Sequence, residues 1–460
     1  RRREVLGSVE LEDPRGLAFD ERGRVFVISG TRVLRFDQPD LPNARLGKSR
    51  VVVEGLEDPR KARIGPDGDL YVSDWGDSHQ VKVFTPKGEL LRTIGKPGGQ
   101  QYGRYDEKRM CRPAGMAIDG EGKLWVAELN YAPKRISVWE ARTGEFDRAY
   151  YGPPRYGGGG RLDHADRSRY YYPSGLQGVE FKVNWEEGTS EPLSIYWHRD
   201  HNTGRCPGTP IHRNGRRYMI NTFIGPSYFL SQDAGVYLYD EENATVRCTA
   251  RVGAASRKGV KGRFLDPYME KDPELKSKLE EGWGDAHWKS AFAVWSDLKL
   301  DGTPQAEEVQ AVNFGQERVR RSQCGVSFAR DLSIATTSGI HIPAPRFTED
   351  GVPVWDLEKW SPTATRNEHL SDAFTTRDGY FIYTMGGFTH QRVARGYREG
   401  ELVWKMNGVR RALARHKGQL VNAQRHIGFP FRPTEGEAGW LFCLNGYHGS
   451  VYVLSSDGLY

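Results

Sequence analysis

Three groups of residues have the types and spacing to do chemistry. The first is Asp297-Leu298-Lys299-Leu300-Asp301-Gly302-Thr303-Pro304-Gln305-Ala306-Glu307-Glu308. Asp297, Asp301 and Glu308 stand at positions one, five and twelve, with Gly302 at six for a sharp turn. Oxygen ligands at this spacing suit calcium, a hard cation. Position three holds Lys299, whose ammonium opposes a bound cation and is able to take its place between the carboxylates. The second group is His198-Arg199-Asp200-His201, two imidazoles around an acid, with His212 further on. Zinc takes such ligands, although polar surface histidines have the same look. Calcium or zinc is therefore the most that these residues offer as cofactor, and neither is required. The third group is dispersed: Arg15, Arg60 and Arg112 at or beside prolines, and Trp75, His79, Asn130, Tyr131, His390, Tyr447 and His448 in polar loops.

A repeat explains the dispersal. Residues 70–99 hold three alternating apolar runs, Leu70–Val72, Val81–Phe84 and Leu90–Ile94, separated by the loop Asp74–His79 and the turn Thr85-Pro86-Lys87-Gly88. Runs of this kind between turn clusters predict short antiparallel strands. Pro14-Arg15-Gly16-Leu17-Ala18-Phe19, Pro59-Arg60-Lys61-Ala62-Arg63-Ile64 and Pro113-Ala114-Gly115-Met116-Ala117-Ile118 each open a copy. Their prolines stand 45 and 54 residues apart, the period of a propeller blade. Gly23, Gly68 and Gly122 sit where a tight hairpin needs positive φ.

The phrase Val72-Ser73-Asp74-Trp75-Gly76, followed by Val81 to Leu90, resembles the central motif of NHL repeats, closely over the first third of the chain and diffusely beyond. The resemblance implies a β-propeller. It implies no single function, because NHL propellers bind proteins, RNA or glycans and some are lyases or hydrolases. The expected fold is all-β: a single β-propeller over 1–460, seven-bladed with six as the alternative. Blades are expected at 10–54, 55–100, 111–152, 174–253, 291–357 and 370–406, with a last one around 440–454. A short helical insertion is expected near 254–290, where Asp272 caps a helix, Pro273 opens it and Gly282 stops it. Glu4–Val9 has no blade of its own and is expected to close the last blade as its outer strand.

Composition narrows the classes. The chain has 460 residues and a net charge of +6, a mild excess that permits an acidic partner without demanding one. No apolar run approaches the roughly 18 residues of a membrane span. Long Lys/Arg blocks are missing and the densest internal basic cluster is Arg318-Val319-Arg320-Arg321, so nucleic acid is the least favoured partner. None of the five cysteines, 111, 206, 248, 324 and 443, forms a CxxC pair. Cys206 and Cys248 are placed to pair, and reduced thiols are the expected state. A start at Arg1-Arg2-Arg3 reads as a piece of something longer.

In a propeller, the loops between second and third strands share a face with the loops entering each innermost strand. Arg15, Arg60, Trp75, His79, Arg112, Asn130, Tyr131, His390, Tyr447 and His448 are therefore expected around one channel mouth, with Glu128 and Lys134 in the same loop as Asn130. Aromatic faces and arginine forks suit a polysaccharide, acidic rather than neutral, or a protein surface. The reading is a recognition module of an exported protein, extracellular or periplasmic. A metal-assisted lyase or hydrolase on the same face, and an RNA-binding NHL propeller, are the alternatives.

Overall fold

Second strands with unbroken apolar sequence and inner strands with alternating sequence are the two building patterns of this chain. In the computed structural model, Val25–Ser29 (β2) and Leu70–Asp74 (β6) bury every residue, whereas Pro14–Phe19 (β1) buries alternate ones. A strand covered on both faces needs no polar alternation; a strand open on one face does. The described residues are 8–37, 39–40, 45–129, 133–152, 160–221, 233–257, 263–281, 290–312, 326–336, 340–362, 372–376, 378–385, 392–399, 401–408, 425–426, 429–432, 439–445 and 451–458. They fall into two units, one of 1–159, 176–182 and 189–196, the other of 160–175, 183–188 and 197–460.

The first unit holds three four-stranded up-and-down antiparallel sheets, the form of a propeller blade. The first runs β1, β2, β3 (Arg32–Phe36) and β4 (Ser49–Val53). The second runs β5 (Pro59–Ile64), β6, β7 (Gln80–Phe84) and β8 (Leu90–Ile94). After β9 (Gly103–Arg104), the third runs β10 (Pro113–Ile118), β11 (Lys123–Glu128), β12 (Lys134–Glu140) and β13 (Phe146–Gly152). These bounds match the expected blades at 10–54, 55–100 and 111–152. Period-two alternation divides β6 between two cores. Leu70 and Val72 pack with Phe26, Ile28 and Val33, while Tyr71 packs with Leu124, Val126 and Trp139. Gly23, Gly68 and Gly122 have φ of 74°, 81° and 79°.

The three sheets share one polar device. In each, the first residue of the inner strand pairs with the last of the second strand: Pro14 with Ser29, Pro59 with Asp74, Pro113 with Glu128. The register then shifts, a bulge in each case. The paired residue on the second strand is polar, buried, and holds the loop that enters the inner strand. Ser29 Oγ donates to the Glu12 carbonyl. Asp74 accepts from the amides of Glu57 (3.1 Å) and Asp58 (2.7 Å), with Lys82 Nζ at 2.7 Å. Glu128 accepts from the amide of Cys111 and from Ser137, and pairs with buried Arg135 at 3.2 Å.

In the second unit, β14 (Arg161–Leu162) pairs with β15 (Arg169–Pro173). Further on, β16 (Gln177–Asn184) and β17 (Thr189–His198) each contribute residues to both units. A six-stranded sheet follows: β18 (Thr209–Arg213), β19 (Arg216–Asn221), β20 (Asp233–Asp240), β21 (Thr245–Arg257), β22 (Ser290–Ser296) and β23 (Val309–Val312). The blades expected at 174–253 and 291–357 are thus regrouped. The start of the second joins the end of the first, because β21 is long enough to pair with both β20 and β22. The next sheet is β24 (Val326–Phe328), β25 (Ile334–Thr336), β26 (Ile340–Ile342) and β29 (Ser361–Pro362). Between its last two strands lies the pair β27 (Arg346–Phe347) and β28 (Pro353–Val354). A four-stranded sheet spans β30 to β33, Asp372–Thr375, Tyr380–Met385, Arg392–Arg398 and Glu401–Gly408. The final sheet, β34 to β36, comprises Arg425–His426, Leu441–Asn445 and Val451–Ser455. Most of Glu4–Val9 lies outside the described residues.

The insertion carries α1 (Asp266–Met269) and α2 (Pro273–Glu281) between β21 and β22. Asp272 caps α2 by accepting from the Leu275 amide at 2.9 Å, and Leu275 and Leu279 are buried. Among the described residues, no helix is long and apolar enough to cross a membrane. Cys111, Cys206, Cys248 and Cys443 form no disulfide, so Cys206 and Cys248 do not pair. Burial pushes the Cys248 thiol up to about 12.

Asp74→Ala leaves two part-buried amides and Lys82 without their acceptor. Denaturant unfolding is expected to show a loss of about 3 kcal/mol, and a loss under about 0.5 kcal/mol, the scale of a surface substitution, means that the carboxylate is not holding the loop.

Candidate functional site

The entry loops of the first unit bring five of the expected residues into one connected group. Asp58 sits between Arg15 of β1 and Arg60 of β5, accepting 2.5 Å bonds from Arg15 Nη1 on one oxygen and Arg60 Nη2 on the other. Burial alone would raise its carboxyl; the bonds from Arg60 and Arg15 outweigh that and hold it below the usual range. The Arg60 guanidinium lies 4.1 Å from the centre of the Trp75 ring, and that of Arg112 lies 5.7 Å from the same ring. Trp75 Nε1 donates to the Pro113 carbonyl at 2.6 Å, tying the second sheet's loop to the third sheet's inner strand. The Arg112 amide donates to His79 Nδ1 at 2.8 Å. Burial, then the Arg112 charge, push the His79 imidazole below its ordinary value, so it is neutral at pH 7 with its proton on Nε2.

The backbone of this group is unusual. Asp13, His79 and Arg112 have φ of 42°, 50° and 52°, values that non-glycine residues seldom adopt. Asp13 and Arg112 each precede an entry proline. Glu57 braces the loop by accepting from the amides of Asp77 (2.6 Å) and Ser78 (3.1 Å). Gly76 is required there, since a Cβ would lie 1.9 Å from Glu57 Oε2. Arg112 is exposed and makes no ion pair with any described residue, whereas Arg15 and Arg60 are both committed to carboxylates.

The structure departs from expectation at two points. Glu128 is not a rim residue: it ends β11 and is buried against Arg135, which uses up its charge. Trp75 does not present a bare ring, because Arg60 covers one face. Asn130, Tyr131, His390, Tyr447 and His448 lie outside the described residues.

The candidate metal residues divide. Asp297, Asp301 and Glu308 bring one carboxylate oxygen each within 4.8 Å of one another. Asp297 is fully buried, with Arg247 Nη1 at 2.7 Å and the Gly302 amide at 3.0 Å. Glu308 accepts from the Lys299 amide and Trp295 Nε1, and Asp301 from the Thr303 amide and Gln305. Lys299 Nζ turns out to Glu307 rather than inward. The cation on this loop's buried carboxylate is thus Arg247 of β21, and with a guanidinium on its most buried ligand the set does not fit calcium. His198 and His201 have ring centres 5.6 Å apart, and His198 Nδ1 accepts from the Asp200 amide. Asp200 Oδ2 lies 3.6 Å from His198 Nδ1, but among the described residues these side chains do not form a set of three with ligand atoms all within 4.8 Å of one another. His212 faces elsewhere, its Nε2 2.9 and 3.0 Å from the two oxygens of buried Asp163. That pair, 49 residues apart, has no local sequence signal.

Comparison with known proteins leaves the geometry to speak for itself. No protein-family model matches the chain, and no curated protein matches it. Among solved structures, a streptogramin B lyase is 13% identical, with 82% of this chain and 91% of that one covered and a TM-score of 0.24. The Kuenenia stuttgartiensis hydrazine synthase is 12% identical over 99% of both chains, with a TM-score of 0.25. A gluconolactonase of Xanthomonas campestris is 12% identical over 52% of this chain and 76% of that one, also at 0.25. Likeness at this level carries nothing about activity. The class is set by the chain's own sheets: an all-β protein of propeller-type blades.

Wild-type protein is expected to show no calcium-dependent change in melting temperature. Arg247→Gln removes the competing charge and is expected to gain a calcium-dependent rise. A rise already present in wild type contradicts the assignment of Arg247 as the loop's cation.

Proposed function

We propose that this chain is a recognition module of NHL type, whose rim in the first unit binds an acidic polysaccharide. The observation that carries the reading is the Trp75 ring with Arg60 over it and Arg112 beside it, Arg112 lacking an acidic partner among the described residues. A guanidinium lying on an aromatic ring is held flat, with its N–H groups directed outward around the edge. Such a fork matches carboxylate or sulfate oxygens bidentately, and prior positioning lowers the entropy cost of binding. Left-handed backbone at Asp13, His79 and Arg112 supports the same place, because strain of this kind gathers at binding sites. A ligand of this class fits an exported protein.

The rival readings find less support. A metal-assisted lyase or hydrolase needs several ligands on this rim; the described rim histidine, His79, has its Nδ1 occupied by the Arg112 amide. RNA recognition relies on bases stacking on open aromatic faces, and one face of Trp75 is covered.

Binding to polygalacturonate, heparin and neutral dextran should be compared for wild type, Arg112→Gln and Trp75→Ala. Acidic polymers are expected to bind and dextran not to. Each substitution is expected to weaken binding about tenfold, near 1.4 kcal/mol, with Arg112→Gln leaving the melting temperature unchanged. Full binding by both variants, or equal binding of dextran, overturns the proposal.

A further inference from the structure

The bond from the Arg112 amide to His79 Nδ1, 2.8 Å long, can be broken by a single proton. A neutral imidazole accepts through one nitrogen; an imidazolium carries N–H on both and accepts through neither. Arg112 depends on this bond more than an ordinary residue would. Its φ of 52° is one that non-glycine residues seldom adopt, and the proline that follows narrows its backbone further. On its other side the backbone is held by the Arg112 carbonyl, which accepts from the Leu129 amide at 3.1 Å.

The imidazole is itself firmly seated. The His79 amide donates to the Trp75 carbonyl at 2.7 Å. Its ring lies against Gly99, where a Cβ would come within 3.1 Å of ring carbon Cδ2. Charged groups surround it on several elements. Arg112 faces it from the entry loop of the third sheet, Asp77 from its own loop and Glu57 from the entry loop of the second. In the loop after β8, Lys96 and Arg109 are both paired with Asp106, at 2.7 and 3.7 Å. Burial and then Arg112 oppose a charge on the ring, and they outweigh Asp77 and Glu57, which favour it. The neutral, accepting form is therefore the one present at pH 7, and it is lost as pH falls below the ordinary 6.5 of an imidazole.

We propose that His79 is the positioning residue for Arg112, and that protonation of His79 releases Arg112 and weakens anion binding at the rim. The anion rests on the reading of the rim given above; the coupling of His79 to Arg112 does not. With the bond lost, the Arg112 amide has no acceptor and its strained backbone relaxes. The guanidinium then leaves its place 5.7 Å from the centre of the Trp75 ring. An added imidazolium would by attraction alone tighten the binding of a polyanion, so the direction of the pH effect separates positioning from simple charge. His79→Asn is the control. Asparagine carries an amide oxygen at the δ1 position, tolerates positive φ and does not titrate. Every other acid and base of the rim titrates alike in the two proteins.

Binding of the full chain to dextran sulfate, whose sulfate esters stay ionised throughout, is measured at constant ionic strength from about pH 7.5 to about pH 4.5. Wild type, His79→Asn and His79→Ala are compared, with circular dichroism as the check on folding at each pH. Wild-type affinity is expected to fall about tenfold in acid, that of His79→Asn to stay within about twofold across the range, and that of His79→Ala to be weak throughout. A second readout needs no ligand. In arginine-selective nitrogen-15 spectra, the Arg112 amide resonance, assigned by its loss in Arg112→Lys, is expected to move along one titration in wild type and to stay still in His79→Asn. Affinity that rises in acid, or that falls equally in His79→Asn, overturns the proposal. So does a wild-type Arg112 resonance that stays still. A moving resonance with no binding of dextran sulfate upholds the positioning of Arg112 and overturns the rim as the ligand's place.

Discussion

Asp74 is fully buried, and its two oxygens serve the amides of Glu57 and Asp58 while its charge faces Lys82. A carboxylate in that position is costly unless every bond is made. Here the bonds go to the loop that carries Asp58, which in turn holds Arg15 and Arg60. The first sheet achieves the same hold with a hydroxyl, Ser29, and the third with Glu128 and Arg135. One position in the repeat thus solves one problem with three chemistries. It fixes the start of an inner strand just before a bulge, and with it the direction in which the rim arginines leave the backbone.

This hold lets the rim be both polar and ordered. Asp58 joins two sheets through two arginines, and Trp75 joins the second sheet to the third through the Pro113 carbonyl. These contacts involve charges that are only partly exposed, where opposite charges attract more strongly than in open water. The result is a group of side chains set before any ligand arrives. Arg112, poised by the bond from its own amide to His79, is the member with charge to spare.

The repeat was legible because its signals are local. The Pro-Arg openings, the Asp-Gly turns and the continuous apolar second strands lie within a few residues of one another, and they placed the first three sheets and the grouping of Arg15, Arg60, Trp75, His79 and Arg112. The insertion was legible through Asp272, Pro273 and the two buried leucines of α2. Other features were not, each for a physical reason. Glu128 looked like a loop acid because nothing nearby announces Arg135 as its buried partner. The joining of β21 to β22 across an insertion depends on strand length and pairing, which spacing does not encode. Asp163 with His212, and Arg247 with Asp297, are contacts across 49 and 50 residues made by the fold alone.

The central claim is that the first unit's rim, centred on Trp75 and Arg112, is where the ligand sits. Amide hydrogen exchange, measured with and without an excess of polygalacturonate, tests it most directly. Slowed exchange is expected in the segments 57–60, 75–79 and 111–113, with the outer strands β4 and β8 unchanged. Protection that appears elsewhere while these three segments exchange as before would contradict the account.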